Sequence, residues 1–281
     1  MQSGQPSRTA LAVATYRAVH QVLENGCIFA DPLALRIVGT DIEAAVRAAE
    51  SDPSSRRLRL FIAVRTRFAE DALKAAVAGG VRQLVVLGAG LDTFAYRTPL
   101  DENLRVFEVD HPVTQAWKKQ RLAEAGIPVP ARLTFAPIDF EKENLRDGLA
   151  SAGFDSAQQT FFNCLGVVPY LTNQAVFSTL AFIASLPGGA HVVFDYMNPT
   201  ASGSEQDDYA AAREAIAARV ASVGEAFKSR FETDELHTKL TDLGFCEIED
   251  IGPELIRQRY FGRSGSPSSD RGGHVVHAKT F

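Results

Sequence analysis

Residues suited to holding a small ligand follow the first strongly apolar run of the chain. A Gly-x-Gly turn comes first, with two polar residues after it at the start of a predicted helix: Gly88, Ala89, Gly90, Asp92 and Thr93. Glycines at such a turn let the backbone approach a bound nucleotide or similar ligand closely. A dinucleotide-binding fingerprint would have a third glycine where Thr93 stands. The turn alone therefore predicts only an α/β protein with a small-ligand site.

Acidic residues follow the next two apolar runs. Glu108 and Asp110 end the second run, where a carboxylate can accept hydrogen bonds from both hydroxyls of a ribose. Asp139 and Phe140 follow the third run. A carboxylate there can accept a hydrogen bond from an adenine amino group, and a ring can pack on the base. The alternative for each acid is an ordinary residue at a strand end or a turn.

Arg65 lies in the apolar stripe of a helix predicted for residues 56–78, whereas Arg67 points the other way. An unpaired charge is costly to bury, so the guanidinium of Arg65 needs an anionic partner. A ligand carboxylate and a protein carboxylate would both serve, and the sequence leaves the two open.

Together these residues favour a ligand with an adenine, a ribose and a carboxylate. The chain has no phosphate clamp, because the third glycine is absent and no Gly-x-x-x-x-Gly-Lys loop occurs. S-adenosyl-L-methionine has those three groups and no phosphate. The sequence therefore favours S-adenosyl-L-methionine over NAD as the cofactor.

The elements that position these residues alternate in type. Three helical stretches come first, at residues 9–24, 32–49 and 56–78. Five predicted strands then alternate with helices, as in a mostly parallel sheet covered on both faces. They span residues 82–87, 105–109, 133–137, 160–165 and 191–196. Two final strands, at 246–251 and 275–280, have no long predicted helix between them, which indicates an antiparallel edge hairpin.

We expect one domain in four parts. These are a helical cap (1–80), a cofactor-binding half (81–196), a helical lid insertion (197–232) and a C-terminal helix with a strand pair (233–281). A length of 281 residues and a hydrophobic content of 46% are compatible with one large core.

Composition excludes several classes of protein. The formal net charge of −5 provides no basic surface for nucleic acid. Three cysteines, Cys27, Cys164 and Cys246, are too far apart for a zinc site and predict neither a disulfide framework nor a bound metal. With no signal peptide and no apolar run of membrane-spanning length, we expect a cytoplasmic protein without a membrane partner. A homodimer is compatible with the sequence.

Five segments resemble the bacterial branch of the leucine carboxyl methyltransferase family. They are Arg65–Phe68, Val85–Thr93, Phe107–Pro112, Gly166–Leu171 and Phe194–Tyr196. The resemblance covers nearly the whole chain, and Leu-Gly-Ala-Gly-Leu-Asp-Thr followed by Glu-Val-Asp-His-Pro is specific. It implies an α/β fold with a Rossmann-like class I methyltransferase sheet. That sheet has seven strands, the last antiparallel, with an N-terminal helical cap and a helical lid insertion. The activity it implies is S-adenosyl-L-methionine-dependent O-methylation.

The resemblance also assigns roles. Arg65 would hold the methionine carboxylate, Glu108 or Asp110 would bind the ribose, and Asp139 with Phe140 would frame the adenine. Gly88 and Gly90 would approach the cofactor, and a basic residue on the first helix, here Arg17, would help to hold it. The other residues of the expected cofactor-binding set are Ala89, Asp92, Thr93, Asn163, Cys164 and Leu165.

The chain departs from the family's eukaryotic, protein-methylating branch. That branch has an acid-Cys pair after the fourth strand, five residues before the tyrosine, where this chain has Leu165 preceded by Asn163 and Cys164. The resemblance therefore gives no reason to expect the protein substrate of that branch, and we expect a small-molecule methyl acceptor. The bacterial members include enzymes that methylate carboxyl groups of polyketides, so a carboxylate that becomes a methyl ester is the favoured acceptor.

Other readings of the acceptor and of the chemistry stay open. They are a phenolic acceptor, a non-catalytic protein that binds S-adenosyl-L-methionine and, less favoured, an NAD-dependent oxidoreductase. Tyr16, Tyr170, Asp195 and Tyr196 are expected to line the acceptor pocket, with packing at strand ends as the alternative. We expect no strong catalytic base, because none of His20, His111, His274 and His277 has an orienting partner evident in the sequence.

Overall fold

The computed structural model describes residues 7–39, 42–52, 55–97, 103–139, 143–199, 218, 226–262 and 270–281. The helices of this part are α1 (Arg8–Leu23), α2 (Ala34–Val38), α3 (Ile42–Ser51), α4 (Ser55–Ala78), α5 (Phe94–Arg97), α6 (Pro112–Glu124), α7 (Leu145–Ser151), α8 (Asn173–Ala184), α9 (Thr233–Asp242) and α10 (Pro253–Phe261). Its strands are β1 (Gln83–Leu87), β2 (Arg105–Asp110), β3 (Leu133–Pro137), β4 (Thr160–Cys164), β5 (Ala190–Met197), β6 (Glu247–Ile251) and β7 (Gly273–Lys279). A 3₁₀ helix spans Val168–Tyr170.

The seven strands form one sheet in the order β3-β2-β1-β4-β5-β7-β6. Strands β1 to β5 pair in parallel, and β7 is antiparallel to both β5 and β6. The strand order reverses between β1 and β4, and open α/β sheets bind ligands beyond the carboxyl ends of their strands at such a point. The predicted parallel sheet and its antiparallel last strand are confirmed.

Both faces of the sheet are covered, which explains the unbroken apolar runs of its central strands. All five residues of β1 are buried, as expected for a parallel strand between two layers of helices. One core packs the sheet against α7, α8 and α9, and a second packs its other face against α4. A third cluster joins α1 and α2 to α6. Among the described residues, no helix combines the length and hydropathy needed to cross a bilayer.

Short-range signals set the starts of several helices. The Oγ of Ser7 accepts a hydrogen bond from the backbone N of Ala10 (3.1 Å) at the start of α1. Helix α6 has Pro112 in its first turn, and Nδ1 of His111 accepts a hydrogen bond from the next free backbone N–H, that of Val113 (3.2 Å). Such caps satisfy backbone donors that have no partner inside a helix.

The structure corrects two expectations. The helix predicted over residues 32–49 is divided into α2 and α3, because α2 ends at Gly39 in a left-handed conformation (φ 59°). The last two strands do form an antiparallel pair at the edge of the sheet, as expected, but a helix, α10, lies between them in sequence where none was predicted. Most of the predicted lid insertion, residues 200–217 and 219–225, lies outside the described residues.

Two histidines meet edge to edge between β5 and β7. The rings of His191 and His277 are nearly parallel with centroids 5.3 Å apart, and Nδ1 of His191 lies 3.0 Å from Nε2 of His277. The ring of Phe161 packs against both, with its centroid 5.8 Å from that of His191 and 5.9 Å from that of His277. Burial, with a smaller contribution from His277, lowers the pKa of His191 to about 4, and burial also lowers the pKa of His277. The pair is therefore neutral near pH 7.

We expect the free energy of unfolding to fall as the pH decreases from about 6.5 towards 4. The pKa of His191 is lower in the folded than in the unfolded chain, so the unfolded state takes up protons first and is favoured below the unfolded pKa. The loss should reach about 2 kcal/mol by pH 5, as measured by urea unfolding at pH 7 and pH 5. His191→Phe, which keeps an aromatic ring beside Phe161, should reduce the difference. An undiminished difference would place the acid sensitivity elsewhere.

Candidate functional site

The turn after β1 has no room for side chains at its two glycines. Gly88 and Gly90 both have positive φ, at 62° and 44°. A Cβ on Gly88 would lie 2.5 Å from Cγ2 of Val167, and one on Gly90 would lie 3.0 Å from Cβ of Ala10 in α1. The turn is thus enclosed by the segment after β4 and by the first helix, and only glycine is unstrained there.

Asp110 fastens this turn to the end of β2. Its Oδ2 accepts a hydrogen bond from the backbone N of Gly90 (2.5 Å), and its Oδ1 accepts one from the backbone N of His111 (2.7 Å). Burial raises the pKa of Asp110, while these two donors act in the opposite direction. The Gly-x-Gly turn and the acid predicted to bind a ribose therefore lie side by side.

Glu108, the other acid at this strand end, has a different environment. It is 1% exposed, and its Oε2 lies 2.7 Å from Nζ of the equally buried Lys118 and accepts a hydrogen bond from the hydroxyl of Tyr96 (3.1 Å). Burial raises the pKa of Glu108 to about 7, and Lys118 opposes that rise. Of the two acids expected to bind the ribose, Glu108 and Asp110, only Asp110 contacts the glycine turn among the described residues.

Arg65 is buried beside the end of β5 and pairs there with a protein acid. Its Nη1 lies 2.7 Å from Oδ2 of Asp195, and both residues are almost fully buried. The Oδ1 of Asp195 accepts a hydrogen bond from the backbone N of Gly166 (2.5 Å) in the turn after β4. Arg67, by contrast, forms an exposed pair with Asp71 on the outer face of α4. The protein partner that the sequence allowed for Arg65 is thus present, and it is Asp195.

The end of β4 contributes three further predicted residues with distinct surroundings. The Oδ1 of Asn163 is buried and has no hydrogen-bond partner among the described residues, which marks it as an acceptor open to a ligand donor. Cys164 is buried in the core on the opposite face of the sheet, where burial raises the pKa of its thiol to about 12. Leu165 is half-buried against the core formed with α4.

Residues of the N-terminal helical cap form polar contacts with the glycine turn and the residues that follow it. Nη2 of Arg17 donates a hydrogen bond to the carbonyl O of Leu91 (2.7 Å), and its Nε lies 3.4 Å from Oδ2 of Asp31. The same oxygen of Asp31 accepts a hydrogen bond from Oγ1 of Thr93 (2.7 Å), and Asp92 Oδ1 accepts one from the N of Phe94. The sequence analysis identified Arg17 but missed Asp31. A buried arginine on α1 needs an anionic partner, and that need could have indicated Asp31.

The predicted adenine subsite is described in part. The carboxylate of Asp139 lies 3.7 Å from Nε2 of His111, which follows Asp110. The ends of β2 and β3 thus bring Asp110 and Asp139 to the same edge of the sheet. Phe140 lies outside the described residues.

Tyr196, one of the four residues predicted to line an acceptor pocket, lies on the opposite face of the sheet from Asp195, which is another of the four. Successive strand residues alternate faces, and Tyr196 is 1% exposed. Its hydroxyl is within hydrogen-bond distance of Thr233 and Asp250, and its ring stacks on His274. Tyr170 packs on Phe227, with ring centroids 5.3 Å apart. The pocket assignment of Tyr196 is therefore wrong. Tyr16, half-buried on α1, and Tyr170 remain predictions.

The histidines named in the sequence have orienting partners after all, but within the fold. His274 contacts Asp250 and the carbonyl O of Asp270, and His277 contacts His191. His20 is fully buried, and its Nδ1 lies 3.1 Å from Oε2 of Glu24. The described residues contain no group of three or more His, Cys, Asp or Glu side chains arranged to hold a metal ion.

We call the residues that lie together at the carboxyl edge of the sheet the carboxyl-edge cluster. It contains the glycine turn, a carboxylate bound to that turn, a buried cation paired with an acid, and an amide oxygen without a partner. Its members are Gly88, Gly90, Asp110, Arg65, Asp195 and Asn163.

Comparison with known proteins places this cluster in a family. The family model for leucine carboxyl methyltransferase matches residues 10–184, which include most of the cluster. The chain belongs to the leucine carboxyl methyltransferase family. Two relatives of this family member are named as candidate S-adenosyl-L-methionine-dependent methyltransferases. The one from Bacillus subtilis is 32% identical over 99% of both chains. The one from Streptomyces coelicolor is 38% identical over 64% of this chain and 65% of its own.

Solved structures agree with the methyltransferase fold of this family member. A crystal structure of a candidate methyltransferase from Thermobifida fusca matches with a TM-score of 0.58 and 13% identity, and the match covers 99% of this chain and 96% of the other. At that identity the likeness concerns the fold alone. The predicted class I methyltransferase sheet is thereby confirmed.

Removing the cation beside Glu108 should destabilise the protein strongly. We expect Lys118→Met to lower the free energy of unfolding by about 3 kcal/mol at pH 8, because a buried carboxylate loses its counter-charge. Adding Glu108→Gln should restore most of the loss. Lys279→Met, which breaks the Lys279–Glu247 pair, whose side chains are 27% and 65% exposed, is the control and should cost under about 1 kcal/mol. Equal losses in the two single variants would contradict the assignment.

Proposed function

We propose that this protein is an S-adenosyl-L-methionine-dependent O-methyltransferase whose acceptor is a small-molecule carboxylic acid. The family and the names of its relatives support the methyltransferase activity. One observation carries the site: the close-packed glycine turn, Asp110 and the buried cation of Arg65 lie at one edge of the sheet. The product would be a methyl ester.

The residues of the carboxyl-edge cluster fit this cofactor. Gly88 and Gly90 leave backbone, not side chain, at the turn, and Asp110 offers carboxylate oxygens next to it, suited to ribose hydroxyls. Arg65 is a cation suited to a carboxylate, and the unpartnered Oδ1 of Asn163 is suited to a donor. Asp139 would receive the adenine amino group. When bound, S-adenosyl-L-methionine supplies an electrophilic methyl group on a sulfonium.

The described residues favour catalysis by positioning over catalysis by a base. A carboxylic acid is already ionised near neutral pH and needs no base, whereas a phenol has an intrinsic pKa near 10 and would gain from one. His20, His274 and His277 are held in contacts away from the carboxyl-edge cluster, and the Cys164 thiol stays protonated. His111 lies beside the cluster, but its Nδ1 caps α6 and its Nε2 lies 3.7 Å from Asp139 at the expected adenine subsite. The protein's part is then to hold two reactants in line and to exclude water.

The cofactor assignment predicts selective binding. Isothermal titration should detect S-adenosyl-L-methionine and not NAD, because Thr93 occupies the place of the third glycine. Arg65→Ala should weaken that binding about tenfold or more, the loss expected for a charge-assisted hydrogen bond, provided that its melting temperature shows a folded protein. Arg67→Ala, at the exposed cation two residues on, should bind as the wild type does. Binding of NAD alone would overturn the proposal.

The acceptor assignment predicts the product and its pH dependence. We expect a mixed panel of carboxylic acids and phenols to give products that gain one methyl group and lose it again in mild base, as esters do. For the best acceptor, kcat/KM should change little between pH 6.5 and 8.5, since the carboxylate is ionised throughout. Base-stable ethers with a rate that rises with pH would indicate a phenolic acceptor. Cofactor binding without transfer to any acceptor would favour a non-catalytic binding protein.

A further inference from the structure

The buried pair of Arg65 and Asp195 has the charge pattern of a receptor for an amino acid. An α-amino acid carries one carboxylate and one ammonium group on the same carbon. Arg65 offers a cation for the first, and Asp195 offers an anion for the second, with Nη1 and Oδ2 2.7 Å apart. Both side chains are less than a tenth exposed, so each charge must be matched by a partner.

The surroundings of the pair leave capacity for further hydrogen bonds. Within the part of the chain that the structure describes, each oxygen of Asp195 accepts one hydrogen bond, Oδ2 from Arg65 and Oδ1 from the N–H of Gly166. A carboxylate can accept about four. Gly166 has φ of 70°, and a Cβ there would lie 2.8 Å from Nη2 of Arg65. Glycine at this position therefore keeps the space beside the guanidinium clear.

Asn163 adds a second acceptor on the same face of the sheet. It pairs in register with Val193 on the neighbouring strand, and Asp195 follows Val193 by two residues, so both side chains share one face. The buried Oδ1 of Asn163 has no partner among the described residues. A buried acceptor without a donor is costly, and a ligand ammonium would satisfy it.

We propose that Arg65, Asp195 and Asn163 form a receptor for the whole α-amino-acid group of the cofactor. Arg65 takes the carboxylate, and Asp195 with Asn163 takes the ammonium. This rests on the proposed S-adenosyl-L-methionine site and adds the ammonium subsite to it. Asp195 is thereby a cofactor-binding residue, not a wall of the acceptor pocket. In the free protein the two charges neutralise each other, which keeps the receptor stable before the ligand arrives.

The first test uses the wild-type protein and measures binding, not turnover. S-adenosylhomocysteine carries the complete amino-acid group, its desamino analogue lacks only the ammonium, and 5′-methylthioadenosine lacks the whole group. We expect removal of the ammonium to weaken binding about ten- to a hundredfold, the range for hydrogen bonds to charged groups. Equal affinity for S-adenosylhomocysteine and its desamino analogue would overturn the inference.

The second test asks whether Asp195 causes the preference. In Asp195→Asn the ratio of the affinities for S-adenosylhomocysteine and its desamino analogue should fall to within about threefold, while 5′-methylthioadenosine binds as it does to the wild type. Asp71→Asn, which neutralises the exposed acid beside Arg67 on α4, should keep the full ratio. A merely structural Asp195 would weaken all three ligands together and leave the ratio intact, against the inference.

The outcomes separate this inference from the function on which it rests. If the wild type binds neither S-adenosylhomocysteine nor 5′-methylthioadenosine, the proposed cofactor is wrong. If it binds both, but binds the desamino analogue as tightly as S-adenosylhomocysteine, only the receptor assignment is wrong. If Asp195→Asn does not fold, the wild-type ligand series decides by itself.

Discussion

A charge buried in a protein must find a partner, and the Arg65–Asp195 pair meets that requirement at the end of the sheet. It ties α4 to β5, and through the N–H of Gly166 it also fixes the turn after β4. That turn carries Val167, which covers Gly88 and so encloses the glycine turn after β1. The ion pair therefore joins α4, β5 and the turn after β4 at the carboxyl-edge cluster, and removing one partner would leave the charge of the other uncompensated inside the protein.

The same requirement explains how the helical cap joins the sheet. Asp31 accepts a hydrogen bond from Thr93 and lies within ion-pair distance of Arg17 and Arg97, while Arg17 also binds the carbonyl of Leu91. The N-terminal helices are thus attached to the glycine turn by buried polar contacts as well as by apolar packing. In a parallel sheet covered on both faces, polar groups are concentrated at the carboxyl edge, where a ligand can share them.

The sequence predicted the strands and the glycine turn well because their signals are local. Apolar runs between turn residues identified β1 to β5, and positive φ at Gly88 and Gly90 is what a tight turn requires. The errors arose where the signal was not local. One helix was predicted across Gly39, where α2 ends, and no helix was predicted between β6 and β7, where α10 lies. Tyr196, one residue from Asp195, faces the opposite core because neighbouring strand residues alternate.

By itself the sequence determined the order of the elements, the glycine turn and the need of Arg65 for an anion. Only the tertiary structure decided which anion that is: Asp195 lies 130 residues away along the chain. It also decided that Asp110 holds the turn while Glu108 pairs with Lys118 inside the protein. Residue types reveal the charge that burial must neutralise, but the partner depends on which strand ends the fold brings together, and no local pattern contains that information.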